Sequence, residues 1–255
     1  MGQCRLCLQD SVNLQNSHFL PAGIYRILRD KSEKNPNPWL ITSQNALQTS
    51  QQMTAPLLCS DCEQRLSKNG ERWVLRNCLK RNGSFPLAKI LTSRIPDVPS
   101  STSPTKLYFA SNIPEINVSA IAYFAASVFW RGSIHHWNTD GTIPVSLGRF
   151  QEKFRHYLLG TAAFPDNCRL SVVVRERCTI DRLASPPSGG TIGNFQIYRF
   201  PMPGLAFGIA IGEAFPPESL TTCFVHSPGN PLALTDKIEG FLMEAVTRIR
   251  KQSLK

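Results

Sequence analysis

Two short stretches decide how this chain is read: Cys59-Ser60-Asp61-Cys62 and, near the N-terminus, Cys4-Arg5-Leu6-Cys7. A Cys-x-x-Cys spacing lets one tight turn aim both sulfurs at a single ion. Two such pairs supply the ligand set of a structural zinc site. Disulfides are the competing use of cysteine, and they belong to oxidising compartments. The N-terminus lacks a charged segment leading into an apolar one, so no signal peptide is expected, and the reading predicts a cytoplasmic protein. The longest apolar run, residues 120–130 with only Ser127 interrupting, is shorter than the ~20 residues of a membrane span. No membrane partner is therefore expected.

Charge adds direction. Of the formal +10, residues 1–110 contribute 14 Lys+Arg against 7 Asp+Glu, a difference of +7. The basic excess thus sits with the cysteines, and a polyanion such as DNA or another nucleic acid is its natural partner.

Outward from Cys7, Val12-Asn13-Leu14 begins a strand-like piece that ends at Ser17-His18-Phe19, and Leu20-Pro21 breaks it. Residues 22–30 have helical spacing, and residues 31–56, rich in Lys, Asn, Pro, Ser and Gln, read as a long loop with room for one short strand. A helix is predicted from about Asp61 to Lys80. Leu66, Trp73 and Asn77 share one of its faces, and Arg65, Lys68, Arg72 and Arg76 recur at steps of three and four on another. That basic stripe suits phosphates, and it equally suits a solvated helix face. Cys78, deep in the helix, reads as core.

The stretch Cys4-x-x-Cys7, His18 with an apolar pair and Pro21, and Leu57-Leu58-Cys59-x-x-Cys62 resembles the zinc-stabilised HNH nucleases. The phrases Ser17-His18-Phe19-Leu20-Pro21 and Leu57-Leu58-Cys59-Ser60-Asp61-Cys62-Glu63-Gln64 are similar to a bacterial group related to those nucleases, and Ala126 to Arg131 looks like the group's second half. The resemblance implies a treble-clef, ββα-metal unit. In it His18 matches the general base that activates water, and a Mg or Mn ion steadies the scissile phosphate. Two positions depart from the motif: Ser17 stands where the nucleases have an acid, and Glu63 where they have a histidine. Glu63 is a candidate replacement ligand for the divalent ion, although a carboxylate is also favoured by the dipole in a first helical turn. His18 has a structural alternative too, bonding the knuckle or capping the next helix. Two functions follow as expectations: a binding or interaction module on a departed HNH-like fold, with nucleic acid or protein as partner, or a divalent-metal endonuclease.

A Ser/Pro-rich stretch within 93–110 reads as a linker between a zinc domain at 1–92 and a second domain at 111–255. In the second, residues 118–137 predict a helix apolar nearly all round, hence buried. His135 and His136 at its end read as cation-favoured residues near a helix C-terminus, and residues 147–159 predict another helix. Residues 170–174, 195–200, 205–211 and 222–226 read as strands, the glycine-rich 188–193 as a flexible hairpin loop, and residues 238–249 as a closing helix. Cys168, Cys178 and Cys223 read as small buried hydrophobes. The expected class is α+β, with helices on an antiparallel sheet.

Overall fold

The computed structural model describes residues 1–29, 34, 36–41, 46–98, 105–137, 145–175 and 184–235. The expected closing helix and Cys178 lie outside these residues, as do residues 99–104 of the Ser/Pro-rich stretch.

The N-terminal part is built on a two-stranded antiparallel ladder of β1 (Leu14–His18) and β4 (Thr54–Cys59), in which Leu14 faces Cys59 and His18 faces Thr54. A helix α1 (Ala22–Leu28) follows β1, and a small ladder, β2 (Trp39–Ile41) with β3 (Ala46–Gln48), places two short strands in the stretch expected to be a loop with at most one. β4 also begins before Leu57. Thr54, Ala55 and Pro56 have no apolar alternation of their own and are held extended by pairing with β1. From Cys59 the chain turns into α2 (Ser60–Leu66), a π turn over Ser67–Glu71 and α3 (Arg72–Asn77), which together run through the helix predicted from the basic and apolar stripes. Helix α4 (Pro86–Thr92) follows, with proline at its first turn, where no backbone N–H is needed.

The second part is a six-stranded sheet. Its strands are β5 (Lys106–Phe109), β6 (Cys168–Arg175), β7 (Ser188–Ile192), β8 (Phe195–Met202), β9 (Leu205–Ile211) and β10 (Pro231–Thr235), in the order β5-β10-β6-β9-β8-β7. It is mixed rather than antiparallel, because β10 runs parallel to β6 while every other pair is antiparallel. With helices beside it, the sheet makes an α+β architecture.

Two expectations need correction here. The glycine-rich 188–192 is a strand, paired residue for residue with β8; an edge strand needs backbone pairing more than apolar side chains. Residues 222–226 are not a strand. Cys223 and Phe224 plug the core from a loop, Phe224 N–H donating to the Leu170 carbonyl at 2.6 Å and the Asn230 amide to the Phe224 carbonyl at 2.8 Å. A short apolar run cannot by itself distinguish a strand from a plug.

Helix α5 (Val118–Ile134) lies between the two parts and accounts for its apolar circumference, since all its residues from Ala120 to Ser133 are buried. On one side Phe124 and Phe129 meet Phe200 at 6.2 and 5.1 Å between ring centroids, and Phe124 meets Phe207 at 5.5 Å. On the other side the π turn approaches so closely that a Cβ on Gly70 would stand 2.8 Å from the Phe124 backbone nitrogen. Among the described residues no helix is long and apolar enough to cross a membrane. The predicted second helix appears as α6 (Gln151–Leu159) after a short 3-10 turn.

Buried arginines tie these layers together. Arg131, 1% exposed, donates from Nη1 to the His18 carbonyl at 2.6 Å and from Nη2 to Glu71 Oε1 at 2.5 Å. Arg155 on α6 donates to the Leu6 carbonyl at 3.0 Å, inside the first cysteine turn. Because removing one partner of a buried ion pair strands the other, Arg131→Met should cost about 3–5 kcal/mol. Urea denaturation of the variant against wild type measures this, and an unchanged midpoint would show that Glu71 and the His18 carbonyl are satisfied by water.

Candidate metal centre

The first cysteine pair sits on a tight turn closed by Leu8 N–H to the Cys4 carbonyl (2.9 Å) and Cys4 N–H to the Gln9 carbonyl (3.0 Å). Leu8 takes a left-handed φ of 62°, an unusual choice for a branched residue, and the turn it completes brings Cys7 round beside Cys4. Arg5 N–H donates to the Leu57 carbonyl at 3.0 Å, which pins this turn to the end of β4. The second pair straddles the junction of β4 and α2. Cys59 is the residue before the helix and makes no side-chain cap, and Cys62 follows in the first turn.

The four sulfurs all lie within 4.8 Å of one another, and Cys7 Sγ and Cys59 Sγ are 3.9 Å apart. A tetrahedral ion with metal–sulfur bonds of about 2.3 Å places its sulfurs about 3.8 Å apart. Cys4, Cys59 and Cys62 are buried and Cys7 is partly so. The donor set, its spacing and its burial therefore fit a metal ion held by four thiolates.

The electrostatics agree. Burial opposes a thiolate at Cys4, yet the backbone N–H groups of Cys59, Cys7 and Leu6 hold its thiol below the usual value. Cys7 is pushed up by burial, and Cys62 is pushed up strongly by burial and then by the charge of Cys4 beside it. The cluster thus supports one thiolate and resists the next, until a cation at its centre reverses the balance.

The other sequence-derived candidates lie elsewhere. His18 is at the far end of the β1–β4 ladder from Cys59, half-buried, its ring 6.3 Å from that of Tyr25. Ser17 beside it is buried, its hydroxyl donating to the Gln15 carbonyl at 3.4 Å. Glu63, in the first turn of α2, has a buried Oε1 with no hydrogen-bond partner. Among the described residues the four cysteines are the group of three or more metal-ligating side chains that comes together. Arg65, Lys68, Arg72 and Arg76 are all exposed along the helix that starts at the cysteines, and Arg65 also donates to the Leu159 carbonyl at 3.1 Å. His135 is partly buried, which lowers its pKa, and its ring stands edge-on to Trp137 at 5.1 Å. The sequence assigns no role to Glu71 and names Arg131 only within the stretch Ala126 to Arg131, although Arg131 holds the His18 carbonyl and Glu71 holds Arg131. The available signal was a full charge at the end of an apolar helix, since a buried charge is almost always paired.

Compared with protein-family models, with curated proteins and with solved structures, the chain shows no significant match to any of the three.

The purified protein should carry a metal ion in equimolar amount by elemental analysis. Cys59→Ser should lose it and unfold the N-terminal part, because metal binding at such a site supplies about 10 kcal/mol or more of folding free energy. A cooperatively folded Cys59→Ser protein of unchanged melting temperature would remove the metal from the fold.

Proposed function

We propose that this chain is a zinc-stabilised nucleic-acid-binding module, built on a treble-clef unit of HNH-like ancestry in which the catalytic position has been given up. Zinc is the ion that four thiolates at tetrahedral spacing favour in a reducing setting. The observation that carries the reading is the helix leaving Cys59 and Cys62: the metal ligands brace its start, and its exposed side bears Arg65, Lys68, Arg72 and Arg76. Four cations on a braced helix can meet successive phosphates without first being ordered, and the +7 excess of residues 1–110 supports the same partner.

Binding rather than cleavage is supported by the surroundings of His18. The neighbouring Ser17 is buried and offers no charge to a divalent ion. The Arg131 guanidinium donates to the His18 carbonyl and pairs with Glu71, so the Glu71 carboxylate is engaged by an arginine rather than open to a divalent ion. One observation favours the second reading, a Mg- or Mn-dependent endonuclease with His18 as base: the unpartnered Oε1 of Glu63, an oxygen suited to a hard cation.

Fluorescence anisotropy with duplex DNA and with RNA, across a salt series, tests the binding. Arg72→Glu with Arg76→Glu should weaken affinity at least about tenfold, and each lost phosphate contact should reduce the slope of log K against log salt by about 0.9 for duplex DNA. Affinity indifferent to both salt and these substitutions would refute the basic-helix reading. Plasmid nicking in Mg and in Mn, wild type beside His18→Ala, separates the two functions. The binding module predicts intact plasmid in every lane, whereas cleavage lost in His18→Ala would establish the nuclease.

A further inference from the structure

The six-stranded sheet has an inner face, carrying Phe200, Phe207 and Val172 in one register row, and an outer face turned away from α5. On the outer face Arg199 on β8, Gly208 on β9 and Ser171 on β6 stand in register, and the next row is Ile197, Ala210 and Arg169. The middle strand contributes only glycine and alanine to these rows, so a trough runs along it between two arginines. Gly208 is what keeps it open, since a Cβ there would stand 2.6 Å from Ser171 Oγ. Phe215 and Ser219, from the loop after β9, close one side and leave a hollow of about 250 Å³.

Arg169 is already set in place. Its Nη1 donates to the carbonyls of Asp166 (2.8 Å) and Cys168 (3.1 Å), its Nε to the Ser219 hydroxyl (3.2 Å), and its guanidinium lies 4.5 Å from the Phe215 ring centroid. Its Nη2 makes no hydrogen bond among the described residues and is left to meet a ligand. The described lining contains both arginines and no Asp or Glu. A second, apolar hollow of about 380 Å³ adjoins it, sharing Ser171 and Thr222 and running over Leu107, Val173 and Ala233.

We propose that this trough binds a phosphate monoester with an aromatic or apolar body, its head between Arg169 and Arg199 and its body over the adjoining hollow. A phosphate monoester carries a charge of about −1.5 to −2 at neutral pH and three acceptor oxygens, enough to engage both guanidiniums and a hydroxyl at once. A carboxylate is saturated by one arginine fork. The same chemistry is offered by a free ester and by the phosphorylated end of a nucleic-acid strand.

Calorimetric titration of the full chain with phenyl phosphate, with phenol, and with an oligonucleotide bearing or lacking a 5′-phosphate tests the site. Phenyl phosphate should bind saturably at millimolar concentration or below and phenol should not. Arg199→Gln and Gly208→Val should each weaken phenyl phosphate at least about tenfold, the scale of a lost charge-assisted contact. Arg199 is exposed, so Arg199→Gln should keep a melting temperature close to wild type, which is measured beside the titration, even if Gly208→Val does not fold. A 5′-phosphate effect on the oligonucleotide that vanishes in Arg199→Gln identifies a strand end as the ligand; its absence, with phenyl phosphate still bound, identifies a free ester. The Arg72→Glu, Arg76→Glu protein should bind phenyl phosphate as wild type does, which keeps this site separate from the basic helix. No saturable phosphate binding, or binding indifferent to Arg199→Gln, overturns the proposal.

Discussion

Four sulfur atoms drawn within 4.8 Å of one another impose the first constraint on this molecule. Thiolates so close repel, and burial removes the water that would screen them, so the arrangement is stable as an anionic cluster only around a cation. What the cluster joins is far apart in sequence: a turn at residues 4–7 and the start of a helix at residues 59–62. Closing a loop of that length costs entropy, and bonds from four thiolates to an ion would be strong enough to offset it. The β1–β4 ladder, the approach of Arg5 to Leu57 and the start of α2 all meet at that junction.

The helix so braced then meets α5, and the demands of that contact run in both directions. Gly70 has no side chain where the π turn touches the Phe124 backbone, so the two helices lie closer than ordinary side chains allow. Arg131 spans the same contact and joins β1, α5 and the helix carrying Glu71. A guanidinium serves here because its separate nitrogens reach the His18 carbonyl, the Glu71 carboxylate and Ser127 in fixed, diverging directions, which the single nitrogen of a lysine does not match. The arginine thereby couples the part that carries the cysteine cluster to the helix that covers the sheet, and the polar cost of burying it is met by pairing within the protein rather than by solvent.

The two basic surfaces differ in kind. On the helix, Arg65, Lys68, Arg72 and Arg76 form an exposed row suited to an extended polyanion, where affinity depends on salt and little on shape. On the sheet, Arg169 is held by carbonyls, a hydroxyl and an aromatic ring beside a trough that a single Cβ would obstruct. Preorganisation of that second sort favours a compact ligand, because the arginine's side-chain entropy has already been spent on folding.

Much of this was legible in the chain. The spacing of Cys4, Cys7, Cys59 and Cys62 by itself pointed to the four-sulfur cluster that the fold assembles, a group that could hold a metal ion, because ligand geometry leaves few other uses for two such pairs. The apolar circumference of residues 120–130 pointed to a buried helix, and the alternation in residues 195–200 and the apolar run 205–211 pointed to two strands. Other features depended on partners far along the chain. β7 is a strand because β8 pairs with it, Phe224 is a plug because Leu170 offers a carbonyl, and β10 makes the sheet mixed because its slot lies between β5 and β6. The pairing of Arg131 with Glu71 and the His18 carbonyl, and the trough across Ser171, Gly208 and Arg199, exist only once distant segments pack. Local spacing encodes what a few neighbouring side chains can do together, whereas burial, ion pairing and strand register are properties of surfaces that only the folded chain brings into contact.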